Sequence, residues 1–168
     1  MHPWQTPAAI LQIRRILTSY RHWLGSDLLP GALGLSGEQL AEAAYHAPFT
    51  LLSHRSEVDP ILNYGNAATL ALWGYSWDEL TNTPSRFTAE PMERSERQLF
   101  LEQVTRDGFV ADYRGIRIAK NGERFWIEQA VVWNVLDEQG EKIGQAASFR
   151  EWSPVAECPV SKQENQSL

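Results

Sequence analysis

The amino-terminal part of the chain carries apolar side chains at helical spacing. These positions recur every three or four residues with arginines between them, and they are Ile10, Ile13, Ile16, Leu17, Tyr20, Trp23 and Leu24. The pattern predicts an amphipathic helix that ends near Gly25. Its apolar stripe must be covered, either by the domain that follows or by the same segment of another chain.

A second helix is predicted shortly after the first. Ser36 and Gln39 have the spacing of a capping box, in which each side chain bonds to the other's backbone, so this helix opens at Ser36 and continues through Tyr45. We therefore expect residues 1–40 to form a helical extension that precedes the main domain.

From Pro48 the pattern changes to short strand-like runs. "FTLLSHR" and "PILNYGN" are separated by the polar, turn-forming "SEVD", which predicts a hairpin.

Two short helical segments follow, "AATLALWGY" and "SWDEL", and Ser76 with Glu79 forms a second capping box. The later segment "MERSERQLFLEQVTRDG" predicts a longer helix closed by Gly108, with Leu99, Phe100 and Val104 facing inward.

The last part of the pattern predicts three antiparallel strands. Asn121-Gly122 is a strong hairpin signal and Asp137 to Gly140 forms a second turn. In the middle strand, alternation predicts one shared face, interrupted by Gln129, for Phe125, Ile127, Val131, Trp133 and Val135. The same parity places Trp126 and Trp133 on opposite faces. Residues 153–168 are polar and predict a disordered tail.

These elements predict an α+β fold with a five-stranded antiparallel sheet and short helices on one face, preceded by an N-terminal helical segment. This order is that of a PAS domain. The motifs "SH", "DPILNYGN", "PSRFTAEP", "ERSER", "YRGIRI", "RFWIEQAVVWN" and "GQAASF" occur in that order along the chain. Together they resemble the MEKHLA domain, a PAS-like module of plant transcription factors that also occurs in stand-alone bacterial, often cyanobacterial, proteins. The resemblance covers residues 41–152.

Composition and charge narrow the expected partners. The formal charge of −6 and the isoelectric point near 5.2 argue against a nucleic-acid-binding surface, which needs a basic patch. The single cysteine, Cys158, excludes an intramolecular disulfide and a thiolate metal cluster. The chain shows no secretory signal and no stretch long enough to cross a membrane, so a cytoplasmic location is expected.

The resemblance also bears on cofactors. PAS relatives that form a light-driven flavin adduct carry a cysteine in the segment Asn-Cys-Arg-Phe-Leu-Gln, where this chain has Ser85 before Arg86 and Phe87. A serine hydroxyl cannot supply the thiolate that the adduct needs. Ile127 also stands where the flavin families use an asparagine. We expect no adduct, with a flavin held without one as an open alternative. No histidine shows a haem-ligand pattern, and no cofactor is assigned.

Eight residues are candidates for lining a pocket between sheet and helices: Asn66, Trp73, Trp77, Arg86, Phe87, Trp126, Trp133 and Gln145. Aromatic rings can hold a planar or apolar ligand, although most such rings fill cores. Arg86 either contacts a ligand carboxylate or phosphate, or ties its loop down through backbone carbonyls and Glu90. Asn66 has a sufficient structural explanation as the cap of the helix that follows it.

The leading hypothesis, implied by the resemblance, is a non-catalytic sensory or interaction module. It would bind an unidentified small molecule and signal through a protein partner or a homodimer, by a shift of the N-terminal helix against the sheet. One alternative is a small isomerase or dehydratase with Asp59, Glu90 or His54 as general base. Another is a ligand-free dimeric scaffold. A pocket containing a carboxylate without a paired arginine would favour catalysis.

Overall fold

The computed structural model describes residues 1–90 and 94–156. Its α-helices are α1 (Pro7–Leu24), α2 (Gly37–Tyr45), α3 (Ala67–Trp73), α4 (Trp77–Leu80) and α5 (Arg94–Asp107). Its strands are β1 (Thr50–Arg55), β2 (Leu62–Gly65), β3 (Phe109–Ile118), β4 (Arg124–Leu136), β5 (Lys142–Phe149) and β6 (Glu151–Pro154). A short 3₁₀ turn spans Ser85–Thr88.

The strands form one antiparallel sheet in the order β2-β1-β5-β4-β3. This confirms the predicted α+β fold and its five-stranded path. A sixth short strand, β6, was not predicted, and it pairs with the first half of β4 while β5 pairs with the second half. Ser153 and Pro154 thus belong to the sheet, whereas residues 157–168, including Cys158, lie outside the described residues.

Helix α1 docks on the sheet of its own chain. Ile13, Ile16 and Leu17 are buried against β4. Three hydrogen bonds join the two elements: the Trp133 indole N–H donates to the Ile16 carbonyl at 3.0 Å, the Leu136 amide donates to Ser19 Oγ at 2.8 Å, and the Trp23 indole N–H donates to the Asn134 carbonyl at 2.9 Å. The apolar stripe of α1 is therefore covered within the chain.

A β-bulge in β4 overturns the predicted side-chain alternation. Gln129 has a positive φ of 51° and the pairing of β4 with β3 shifts register around it. Phe125 and Ile127 accordingly pack with α3, whereas Trp133 and Val135 pack with α1 on the other face. The extra residue reverses the parity of everything that follows it. The prediction of one shared face was therefore wrong, and so was the prediction that Trp126 and Trp133 lie on opposite faces.

In helix α5 the structure confirms that Phe100 and Val104 face inward, as predicted, but places Leu99 on the outside. Val104 is fully buried and the Phe100 ring lies 4.1 Å from the ring of Tyr113, as an inward face requires. Leu99, however, is 68% exposed. Residues 97, 100, 101 and 104 share a helical stripe at spacings of three and four, and position 99 lies off that stripe. The inward prediction for Leu99 was wrong.

Candidate functional site

A cavity of about 70 Å³ lies between the sheet, helix α5 and the 3₁₀ turn at Ser85–Thr88. Its apolar lining comes from the sheet face that carries Leu52, Ile127 and Phe149, together with Trp73 of α3. This volume holds about five water-sized groups, which is far below the several hundred Å³ of a typical cofactor pocket.

Two arginines bring positive charge to the cavity wall. Arg97 reaches it from α5, and its Nη2 donates to the hydroxyl oxygen of buried Ser85 at 2.7 Å. Arg117 reaches it from β3, and its Nη1 donates to the carbonyl of Ile116 at 2.9 Å. The turn is fixed by a bond from Thr88 Oγ1 to the Ser85 carbonyl at 2.7 Å. The arginines thus come from two consecutive elements, helix α5 and strand β3.

Buried amides connect the cavity to α5. Gln145 lines the cavity, and its Nε2 donates to Asn134 Oδ1 at 3.2 Å, while Asn134 Nδ2 donates to the carbonyl of Val104 at 2.9 Å. All three residues are buried, so their hydrogen bonds are shielded from water. The position of α5 is therefore tied to the side chains of two neighbouring strands.

His54 lies at the rim of the cavity as a neutral imidazole. Burial lowers the pKa of His54, and the positive charges of Arg97 and Lys142 lower it further against the opposing effect of a hydrogen bond to the Arg55 carbonyl. The Nδ1 atom lies 2.8 Å from that carbonyl, so the neutral ring places its proton there. The Nε2 atom is left as the acceptor.

Trp73, which lines the cavity, carries a buried indole N–H. The side chain is 1% exposed, and its indole nitrogen has no hydrogen-bond partner among the described residues. Phe125 and Phe149 pack edge-on against the ring at 5.2 and 5.9 Å. A buried N–H without an acceptor is costly, so a ligand or water that accepts from it would be stabilised.

The carboxylates considered for catalysis lie elsewhere. Asp59 accepts from Arg86 Nε at 3.0 Å on the surface, and Glu90 accepts from Arg124 Nη2 at 2.9 Å. Neither lines the cavity, and within residues 1–90 and 94–156 no other carboxylate lines it. Among the same residues no group of three His, Cys, Asp or Glu side chains is placed to hold a metal ion. Of the proposed bases, only His54 reaches the cavity.

The structure brings two of the eight predicted pocket residues to the cavity, Trp73 and Gln145. Of the other six, three are committed to packing or capping elsewhere: Asn66 caps α3, Trp77 lies edge-on to Tyr64, and Trp133 is buried under α1. The remaining three lie towards the surface, with Arg86 over the Phe87 ring and Arg114 over the Trp126 ring.

Arg86 stabilises its loop through a partner other than the expected one. The prediction named backbone carbonyls and Glu90, but the guanidinium bonds Asp59, and Glu90 is bound by Arg124. The Arg86 and Asp59 side chains are 43% and 50% exposed. An ion pair of that exposure is weak.

We expect the substitution Arg86→Ala to lower the free energy of unfolding by no more than about 1 kcal/mol, as is typical of exposed ion pairs. Urea unfolding followed by circular dichroism measures this change. Arg106→Ala, which removes another exposed ion pair with Asp107, is the matched control. A loss above about 2 kcal/mol for Arg86→Ala would mean that the loop depends on more than this pair.

A flavin does not fit this site. The cavity is several-fold smaller than a cofactor pocket, and the hydroxyl of Ser85 is bound by Arg97.

The residues that sequence reasoning missed are Arg97, Arg117, Ser85 and Thr88 as cavity residues. Arg117 carried one signal, since it is a charged residue between two isoleucines of a strand.

Comparisons with known proteins agree with this architecture. The family model for the MEKHLA domain matches residues 10–154, a range that includes α1. The chain is 28% identical over 150 residues to the homeobox-leucine zipper protein HOX10 of Oryza sativa subsp. indica, covering 88% of this chain and 17% of that protein. It is 24% identical over 136 residues to HOX29 of the same subspecies, covering 80% and 16%. The chain therefore spans about one sixth of the length of these relatives.

Solved structures show the same fold at low sequence identity. The PAS domain of a protein from Colwellia psychrerythraea has a TM-score of 0.59 at 16% identity, covering 72% of this chain and 98% of that one. An RNA-binding light-oxygen-voltage receptor has a TM-score of 0.56 at 24% identity, covering 85% and 40%. Across the described residues, no helix is both long and apolar enough for a transmembrane span.

Proposed function

This chain belongs to the MEKHLA domain family, and on that basis we propose that it is a non-catalytic sensory module that binds a small molecule in the cavity under α5. The observation that carries the proposal is the cavity itself, which combines a buried unpaired indole N–H with two arginines. The PAS-like fold, which this chain shares with a solved PAS domain, supports it.

The proposed role is non-enzymatic because, within residues 1–90 and 94–156, neither of the carboxylates considered as a general base lines the cavity. A general base must reach the substrate, but Asp59 and Glu90 are each paired with an arginine outside the cavity. His54 has one nitrogen held at the Arg55 carbonyl and has no carboxylate behind it among the described residues that line the cavity. Binding is therefore the better-supported use of this site.

Strand β4 offers a route from the cavity to α1. Val132 lines the cavity, while the next residue, Trp133, donates to the carbonyl of Ile16 on the opposite face. Asn134 follows, with its side chain bonded to Gln145 and its carbonyl bonded to Trp23. We propose that a ligand which displaces Gln145 changes the docking of α1, and that this change is read by another protein or a second copy. Such a shift requires different affinities for the two arrangements.

Cavity filling tests the proposal. Ala147 lines the cavity, and Ala147→Leu adds bulk where there is room for it. Native mass spectrometry of the protein as purified from cells should show a retained non-covalent mass on the wild type and none on the variant. Ala111→Leu, at an exposed position of β3, is the matched control and should retain the mass.

A wild-type protein that carries no extra mass would weigh against the ligand, and a dimer under the same conditions would support a role in protein interaction alone.

Three expectations from the sequence stay predictions: the cytoplasmic location, the exclusion of nucleic acid and the domain boundary between residues 40 and 41. RNA binding is a property of one structural neighbour.

A further inference from the structure

His54 lies between two sets of contacts that act on its charge in opposite directions. It lies on β1 directly opposite Gln145 of β5, and its Nδ1 atom lies 2.8 Å from the carbonyl of Arg55. Both neighbours are hydrogen-bonded to the ring, and both bonds favour its protonated form. These contacts are carried by the sheet rather than by helix α5.

The contacts that favour the neutral ring involve helix α5. The cavity that His54 lines is closed on one side by α5, whose Arg97 and Phe100 line it as well. Burial there is the largest cause that lowers the pKa of His54, and the positive charges of Arg97 and Lys142 add to it. Lys142 itself contacts α5, since its Nζ atom donates to Thr105 Oγ1 at 3.4 Å.

The other charged groups near His54 supply no counter-charge for an added proton. Arg55 follows it on β1 and pairs with Glu57, and Arg117 reaches the same cavity from β3. No carboxylate lines the cavity among the residues that the structure describes. Arg97 is itself hydrogen-bonded at the cavity wall, so burial, rather than repulsion by this one arginine, is the main cost of charging the ring.

Protonation of His54 and docking of α5 therefore oppose each other. With α5 docked, the pKa of the ring is below its ordinary value of 6.5, so the docked form binds fewer protons than a form with the ring exposed. Docking is then strongest above about pH 6.5. Below that pH it weakens by up to about tenfold for each pH unit, until the docked ring is protonated as well.

We propose that His54 makes the docking of helix α5 on the sheet sensitive to pH, so that mild acidification loosens this helix over the cavity. A chain of hydrogen bonds gives the change a direct route, because Gln145 is bonded to Asn134 and Asn134 to the carbonyl of Val104 in α5. This pH dependence requires no ligand and no partner, so it goes beyond the proposed function.

Hydrogen–deuterium exchange of peptides from α5 and α1 tests the proposal at pH 5.5 and 7.5. After correction for the intrinsic pH dependence of exchange, we expect the protection of α5 to fall at least about threefold at the lower pH, while α1 keeps its protection. His54→Gln, which keeps an N–H donor but cannot be charged, should remove the difference. His22→Gln is the matched control, because His22 is exposed on α1 and lies outside the cavity, so this variant should behave as the wild type.

A proton NMR titration of the His54 ring in the wild type gives a second measurement that needs no variant. The ring should titrate below pH 6.5, and titration at or above that pH would overturn the proposal. Protection of α5 that is the same at both pH values, or that falls equally in the wild type and in folded His54→Gln, would overturn it too. An equal loss of protection in α1 and α5 would mean that acid loosens the whole domain, which also contradicts the proposal. If His54→Gln fails to fold, the titration and the exchange of the wild type still decide.

Discussion

The double substitution Ile13→Asp and Leu17→Asp is expected to detach helix α1 from the sheet. It should also remove most of the free energy of unfolding of the protein. Both side chains are buried against β4, at 0% and 3% exposure. Each aspartate loses the apolar burial and also places a charge without a partner in the core. Together these changes cost on the order of 5 kcal/mol or more, comparable to the whole stability of a small domain.

Thermal unfolding followed by near- and far-ultraviolet circular dichroism measures this effect. The near-ultraviolet signal reports directly on docking, because Trp133 and Trp23 lie in the interface with α1. Leu11→Asp is the matched control: Leu11 is on the same helix but is 42% exposed, so its substitution should leave the transition close to that of the wild type. An unchanged thermal transition in the double variant would show that the stability of the protein does not depend on the docking of α1 against the sheet.

Local chemistry made most of the fold predictable from the sequence. The stripe of α1, the capping boxes at Ser36 and Ser76, and the turn at Asn121-Gly122 each depend on residues within one turn of helix or one hairpin, and the structure has all of these elements. Such signals are legible because spacing alone determines which groups meet.

The features that sequence reasoning missed depend on contacts between distant residues. Gln129 is an ordinary polar residue in the sequence, and only its positive φ and the register of its neighbours mark the bulge that reverses the faces of β4. The pairs Arg86–Asp59 and Arg124–Glu90 join residues that are 27 and 34 positions apart in the sequence. The cavity likewise needs Arg97 and Arg117 to line one space from two elements whose packing no spacing rule specifies.

Asn66 caps helix α3 as predicted, but the sequence did not indicate how many other buried groups it binds. As the predicted cap of α3, its Oδ1 accepts from the Thr69 amide at 3.2 Å. It also accepts from the Leu51 amide at 3.0 Å, and its Nδ2 donates to the carbonyls of Ala44 and Phe49 at 3.2 and 2.8 Å. One buried side chain thus joins α2, β1 and α3.

We expect Asn66→Ala to lower the free energy of unfolding by about 3 kcal/mol, since it leaves two or more buried backbone groups without partners at about 1 to 3 kcal/mol each. Denaturant unfolding measures the loss. Asn82→Ala is the matched control, because Asn82 is exposed and makes one bond to the Asp78 carbonyl, so its loss should stay near 0.5 kcal/mol.

Asn66→Asp separates the two roles of this residue. Aspartate is as good an N-cap as asparagine, so a residue that only capped α3 would tolerate the exchange. Here the exchange replaces the two donated bonds with a carboxylate that faces the carbonyls of Ala44 and Phe49 inside the protein. We therefore expect Asn66→Asp to be at least as destabilising as Asn66→Ala at neutral pH, because a buried charge facing two acceptors is unfavourable. A stability close to that of the wild type would reduce Asn66 to a helix cap.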